Sequence, residues 1–212
     1  MTVITIRGQY GSWSAEIGEM IARKLNIEYV DREIIAGVAE RLRRPSMSIE
    51  EKEMPPSTLI GRIAEAMTQT AYLGDNIYAG IYSPLWEIPL NDTNYLSGLE
   101  YVIKELAGSQ SIVIRGRGSQ FILKDFPGAF HVLIVAPIEI RVKRIMESLK
   151  FSEEDARKEI ARVDDGSREF VKRYFKANIA DPINYDIVVN TNHLSIEGAA
   201  SIIVDAVLSL SD

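Results

Sequence analysis

Strand-length apolar runs alternate along this chain with longer segments whose apolar residues recur at helical spacing, an alternation best satisfied by a parallel sheet covered by helices. Val3–Ile6, Glu28–Val30, Ser111–Arg115, Ala129–Ala136 and Tyr185–Asn190 read as strands. Between them, Ile17, Met20, Ile21 and Leu25 mark a helix over Ala15–Leu25, and Ile34, Ile35, Val38 and Leu42 mark another over Arg32–Leu42. Ile138, Val142, Ile145, Met146 and Leu149 do the same for Ile138–Leu149. Ser195, with Glu197 in the first turn, predicts the capped start of a final helix over Ser195–Leu210. With 212 residues, 46% of them hydrophobic, the chain can bury one full core and carry a helical insertion besides.

The first junction carries a specific chemistry. Val3-Ile4-Thr5-Ile6 runs through Arg7-Gly8-Gln9-Tyr10-Gly11-Ser12-Trp13-Ser14 into the first helix. A turn of small residues exposes backbone N–H groups and the helix start adds its positive end, so this layout suits phosphate. Laid over G-x-x-x-x-G-K-[ST] from Gly8, the second glycine is Trp13, the lysine is Ser14 and the magnesium-binding hydroxyl is Ala15. The architecture predicts a nucleotide, while the usual lysine is missing.

A second glycine signal follows the third strand, at Ile114-Arg115-Gly116-Arg117-Gly118. It puts a flexible turn and a guanidinium at the carboxyl edge of the sheet, where open α/β folds bind ligands. The alternative is a plain turn whose glycines serve backbone angles only.

Charge is unevenly distributed. Residues 45–105 hold nine acidic and three basic residues, which accounts for the whole net charge of −6, and residues 139–176 hold eleven of the 24 basic ones. No domain-wide basic face exists, so the pattern predicts no nucleic-acid partner and favours an anionic small molecule met by local arginines. The acidic stretch, with Pro45, Pro55-Pro56, Pro84 and Pro89 and helical patterning at Leu59–Tyr72 and Tyr95–Ala107, reads as a helical insertion. Its aromatic group, Tyr72, Tyr78, Tyr82, Trp86 and Tyr95, could pack its own core, form a homodimer contact or stack on a nucleoside.

Phe151-Ser152-Glu153-Glu154-Asp155 looks like a helix start, and Asp165-Gly166-Ser167-Arg168 is expected to interrupt the helix that follows. Arg168 with Lys172, and Arg141 with Arg144, are spaced to share a helical face. Such clusters can close over polyphosphate, or can belong to a solvated helix laced with ion pairs.

Other chemistries are excluded. The absence of cysteine removes disulfides and thiolate metal sites, and His131 and His193 make no ligand cluster. No protein metal ligand is expected, and a hard cation would ride on ligand phosphates. No run approaches ~18 apolar residues, and the chain starts on a strand without a basic-then-apolar leader. A cytoplasmic protein with no membrane partner is expected.

The order of these pieces, Gln9-Tyr10-Gly11-Ser12, Tyr29-Val30-Asp31-Arg32-Glu33, Ile114-Arg115-Gly116-Arg117-Gly118, Ala136-Pro137-Ile138-Glu139-Ile140-Arg141-Val142-Lys143-Arg144, then Asp165-Gly166-Ser167-Arg168 and Asp181-Pro182-Ile183-Asn184-Tyr185, resembles the cytidylate kinase-like family across nearly the whole chain. The resemblance implies an α/β fold: a P-loop-type parallel five-stranded sheet flanked by helices, with a helical insertion and a helical lid. The core would comprise residues 1–44, 106–150 and 184–212, the acceptor-binding insertion 45–105 and the lid 151–183. The implied reaction moves the γ-phosphoryl group of ATP, with Mg2+, to CMP, dCMP or a related small acceptor.

By the same resemblance Gly8, Gln9, Tyr10, Gly11, Ser12, Trp13 and Ser14 would wrap the donor phosphates, with Arg144 beside them. Arg117, Arg141, Arg168 and Arg173 would serve the transfer, and Asp31, Arg32, Arg62 and Gly116 the acceptor. Members of the group often show Gly-Ser-Gly-Gly-Arg in the loop, where this chain has Gly11-Ser12-Trp13-Ser14-Ala15 and so no cation of its own. Three functions remain open at this level: an active phosphotransferase, a nucleotide sensor without transfer, and an interaction scaffold on the same fold.

Overall fold

The computed structural model describes residues 1–32 and 93–210. Most of the helix expected over Arg32–Leu42, the helix expected over Leu59–Tyr72, the aromatic residues from Tyr72 to Trp86, and Arg62 lie outside the described residues.

Strands β1 (Val3–Gly8), β2 (Glu28–Val30), β3 (Ile112–Arg115), β4 (Ala129–Val135) and β5 (Ile187–Asn190) form one parallel sheet in the order β2-β3-β1-β4-β5. Val3 pairs in register with both Ile112 and Ala129, and Gly8 ends opposite Ile134. The expected α/β class and five parallel strands are therefore present.

Helices α1 (Ser14–Leu25), α2 (Thr93–Ser109), α3 (Ser119–Ile122), α4 (Ile138–Leu149), α5 (Glu153–Phe175) and α6 (Ile196–Leu208) flank the sheet. Strand periodicity decides which residues meet which helix. Val3 of β1 and Ile112 and Ile114 of β3 pack with Leu99, Val102, Ile103 and Leu106 of α2. Their alternates Ile4, Ile6 and Val113 pack with Ile17 and Ile21 of α1 and Ala199, Ala200 and Ile203 of α6. Both faces are covered, which is why the strands read as nearly continuous apolar runs.

Helix starts follow the sequence signals. Ser195 Oγ accepts from the Gly198 N–H, and Ser152 Oγ accepts from the Asp155 N–H. The expected interruption at Asp165-Gly166-Ser167-Arg168 is corrected: α5 runs unbroken for 23 residues. A mid-helix glycine costs only about 1 kcal/mol, and burial of Ala156, Ile160, Val163 and Val171 outweighs it.

Two contacts seat α5. Its first half packs Ala156 and Ile160 on Val142 and Ile145 of α4. At its end Phe175 stacks on Phe121 with ring centroids 5.2 Å apart. A Cβ at Gly118 would meet the Phe175 ring at 2.4 Å, so that glycine is required for close approach as well as for its φ of +72°.

β1 has neighbours reached by crossovers running in opposite directions, to β2 and β3 on one side and to β4 and β5 on the other. The crevice of an open α/β sheet forms at such a switch point, outside the carboxyl ends of the strands. Among the described residues no helix is long and apolar enough to cross a membrane.

Candidate functional site

At the carboxyl end of β1 a cavity of about 260 Å³ is lined by Arg7, Gly8, Gln9, Tyr10, Gly11, Trp13, Ser14, Ala15 and Glu16, by Arg32 and Arg115, and by Arg144, Ile145, Ser148, Leu149 and Val163. Its floor is the loop from Gly8 to Trp13. The Ser12 N–H donates to the Gln9 carbonyl at 3.0 Å, closing a turn, and the Gln9 N–H donates to the Ile134 carbonyl of β4 at 3.0 Å. Gln9 Oε1 accepts from the Ala136 N–H at 3.1 Å. The loop is thus tied to the strand on its other side.

Two positions admit glycine for steric reasons. A Cβ on Gly8 would lie 2.2 Å from Ser14 Cβ, and Gly11 has φ +80° with the Arg141 carbonyl 3.1 Å from where a Cβ would stand. Trp13 adopts the left-handed conformation, φ 68° and ψ 23°, at the entry to α1, and no side chain caps that helix. The first-turn N–H groups of α1 therefore remain open to an anion. Ser12 Oγ is buried with no hydrogen-bond partner, a further polar atom within the loop.

The cation that the loop lacks arrives from α4. The Arg144 guanidinium stacks on the Trp13 ring at 3.3 Å, donates through Nη1 to the Gly11 carbonyl at 3.2 Å and to Thr191 Oγ1 at 2.9 Å, and through Nη2 to the Thr191 carbonyl at 2.7 Å. Burial lowers its pKa, opposed by Glu16. Nothing in the local spacing reveals this stack, because Trp13 and Arg144 are joined only by tertiary packing.

Arg141, three residues earlier, is buried and turned elsewhere. Its Nε donates to the Ala136 carbonyl at 3.1 Å, and its Nη1 donates to the Tyr10 carbonyl at 3.2 Å and pairs with Asp164 Oδ2 at 2.6 Å. Asp164 Oδ1 accepts from the Tyr10 N–H at 3.0 Å. Asp164 on α5 thereby holds the phosphate-type loop, a role the sequence reading missed because it singled out neighbouring Asp165.

At the edge made by β2 and β3, Asp31 accepts from Arg115 Nη2 at 2.7 Å and from the Tyr29 hydroxyl at 2.9 Å. Burial raises the Tyr29 pKa strongly, with Arg115 opposing and Asp31 reinforcing. Asp31, expected at the acceptor, orients Arg115 into the cavity wall, and Arg32 lines the same wall. Arg117, φ 54°, donates through Nε to the Arg32 carbonyl at 3.1 Å and is not among the lining residues, nor is Gly116. Arg168 is exposed and pairs with Asp165, and Arg173 is exposed near the end of α5.

Of the expected site residues, the fold brings together Gly8, Gln9, Tyr10, Gly11, Trp13, Ser14, Arg32 and Arg144 and adds Arg7, Arg115 and Glu16. Among the described lining residues, four arginines against one glutamate, over an uncapped helix start, suit an anion with several oxygens. Among the described residues no group of three or more His, Asp or Glu is placed to hold a metal ion. Ala15 has no hydroxyl to offer one either. The donor set fits a phosphate, with any divalent cation carried on it.

A model of the cytidylate kinase-like family matches residues 3–193. The chain is 33% identical over 76 residues to the cytidylate kinase of Sulfolobus acidocaldarius, covering 36% of this chain and 42% of that one. It is 29% identical over 99 residues to the uronate isomerase of Corynebacterium glutamicum, covering 47% of this chain and 19% of that one. The chain therefore spans less than half the length of the curated relatives it matches. Among solved structures, an uncharacterized protein from Eubacterium ventriosum superposes with a TM-score of 0.71 over 99% of this chain and 100% of that chain, at 18% identity. That last likeness concerns the fold alone.

Proposed function

Because the chain belongs to the cytidylate kinase-like family, we propose that it is a phosphotransferase moving the γ-phosphoryl group of ATP to CMP, dCMP or a related small phosphate acceptor on an altered P-loop. The observation that carries this reading is the cavity at the end of β1, where an uncapped helix start meets Arg7, Arg32, Arg115 and Arg144, residues far apart in the chain. Phosphoryl transfer relies mainly on positioning and electrostatics, so a cation rooted outside the loop can serve where the loop lysine is absent.

In this reading the open N–H groups at the start of α1 hold the donor phosphates, with Gly8 and Gly11 allowing the backbone to approach. Arg144, already against the loop, supplies the charge that Ser14 cannot. An acceptor oxygen forms the new bond to the γ-phosphorus as the bond to the bridging oxygen of ADP breaks, and Arg32 and Arg115 neutralise the charge at the sheet edge. Mg2+, when bound with ATP, would shield the donor phosphates. A cytoplasmic location accompanies the proposal, since ATP is abundant there.

The test is a magnesium-dependent transfer assay with ATP and CMP, dCMP, UMP or AMP, run beside thermal shift with the same ligands. Transfer to one acceptor establishes the reaction and names the substrate. Stabilisation without transfer assigns a nucleotide sensor, since a ligand selective for the folded state raises the melting temperature whether or not it reacts. Absence of both transfer and stabilisation rejects the reading.

A further inference from the structure

We infer that Arg7 is a phosphate-binding residue of this cavity, a second cation supplied by the end of β1 in addition to Arg144. The inference rests on the binding half of the proposed function and not on transfer.

Arg7 is the penultimate residue of β1 and lines the cavity beside Gly8, Gly11 and Ser14. Its side chain is only 16% exposed. A guanidinium that removed from water needs anions around it. One of its nitrogens, Nη1, donates to the Gly8 carbonyl, and its carboxylate partner is Asp164, 4.0 Å from Nη2. That distance exceeds a hydrogen bond, because Asp164 is engaged elsewhere: Oδ2 by Arg141 at 2.6 Å and Oδ1 by the Tyr10 N–H at 3.0 Å.

One carboxylate thus serves two guanidiniums, the buried Arg141 and the half-buried Arg7, and the nearer claim is Arg141's. The surplus positive charge falls on Arg7, the member of the pair that lines the cavity. Arg32 and Arg115 add to the positive field there, while Asp164 and Tyr185 oppose it, and burial brings the Arg7 pKa down to about 10. The group is charged at neutral pH and, among the described residues, short of counter-charge. A tetrahedral oxyanion is the complement: it offers paired oxygens to the guanidinium fork and further oxygens to the N–H groups of α1. A neutral ligand would leave the surplus uncompensated.

The probe is inorganic pyrophosphate, titrated calorimetrically into the wild-type chain, Arg7→Gln, Arg7→Lys and the off-site control Arg157→Gln, with ATP and CMP titrated in parallel. Arg7→Gln should weaken pyrophosphate binding roughly tenfold or more, as expected for loss of a charge-assisted pair, and Arg7→Lys should recover part of it. The control should bind as wild type. Loss confined to ATP assigns Arg7 to the donor phosphates, and loss confined to CMP assigns it to the acceptor phosphate.

A second measurement does not depend on Arg7→Gln folding. The Arg7 Nε–H resonance of the wild-type chain, identified by its absence from Arg7→Lys, should shift on adding pyrophosphate. Wild-type affinity in folded Arg7→Gln, an unmoved Arg7 resonance, or no pyrophosphate binding by the wild type would each overturn the inference. If transfer occurs while Arg7→Gln binds normally, the proposed function stands without it. If Arg7 binds pyrophosphate and no acceptor is phosphorylated, the inference stands and transfer is rejected.

Discussion

The guanidinium of Arg144 lies flat against the indole of Trp13, 3.3 Å from the ring centroid, and from that perch it donates to the carbonyls of Gly11 and Thr191. The residue that most departs from a phosphate-loop pattern is therefore also the one that holds a cation beside the loop. A stack of this kind contributes about 1 kcal/mol, little enough for a phosphate ligand to compete for the guanidinium.

Arg144→Gln is accordingly expected to lower ATP affinity roughly tenfold while changing Trp13 emission, measured by titration calorimetry and tryptophan fluorescence. The paired substitution Trp13→Gly with Ala15→Arg should raise ATP affinity by restoring a cation and a close backbone approach. Unchanged affinity in that double variant would show that the loop is only a turn.

Arg117→Ala and Arg168→Ala probe the transfer residues expected from the family. Each should reduce turnover by more than about tenfold with little change in melting temperature, since electrostatic stabilisation of the transferring group is their assigned work. Arg168 is exposed and paired only with Asp165 among its described ion pairs, so its removal should leave the core intact. Near-normal turnover in both would sink the transfer assignment.

Asp164→Ala removes the carboxylate shared by Arg141 and Arg7 and the acceptor of the Tyr10 N–H. Stranding buried charge in this way costs about 3 kcal/mol, to be read from urea denaturation. Asp164→Asn retains an oxygen for Tyr10 and should cost less. Equal losses would mean that the bond to the Tyr10 N–H contributes nothing and that the ion pairs carry the whole effect.

Two glycine substitutions should act in opposite directions. Gly8→Ala forces a methyl group into Ser14 Cβ, 2.2 Å away, and should disrupt the loop and its ligand binding together. Gly108→Ala, in α2 with nothing within 4 Å of the new Cβ, should stabilise by about 0.5–1 kcal/mol. Thermal melts of the two variants settle the contrast.

His131 sets an acid limb. Burial lowers its pKa from the usual 6.5, with Asp186 opposing, and its Nδ1 lies 2.7 Å from Thr5 Oγ1. The unfolded chain therefore binds the proton more readily. The stability from a neutral His131 is complete above pH 6.5 and declines as pH falls through that value toward the lower folded pKa. Melting temperatures from pH 8 to 5 should show a decline that His131→Gln reduces; parallel curves would show that His131 does not contribute.

The order of elements and much of the site were determined locally. Val3–Gly8, Gly11 and the start of α1 are legible because strand period, turn chemistry and helix spacing are properties of neighbours in the chain, and Ser152 and Ser195 cap their helices for the same reason. The continuity of α5 through Gly166 was not legible, since burial against α4 overrides a local breaker. Nor were the partners of Arg7, Arg141 and Arg144. Arg141 and Arg144 stand three residues apart on one helix, yet one turns to Asp164 and the other to Trp13. Spacing determines which face a side chain leaves from, whereas its partner depends on which distant segment the sheet order brings to that face. In this chain the crossover to either side of β1 made that choice, placing a carboxylate from α5 and a cation from α4 around one loop.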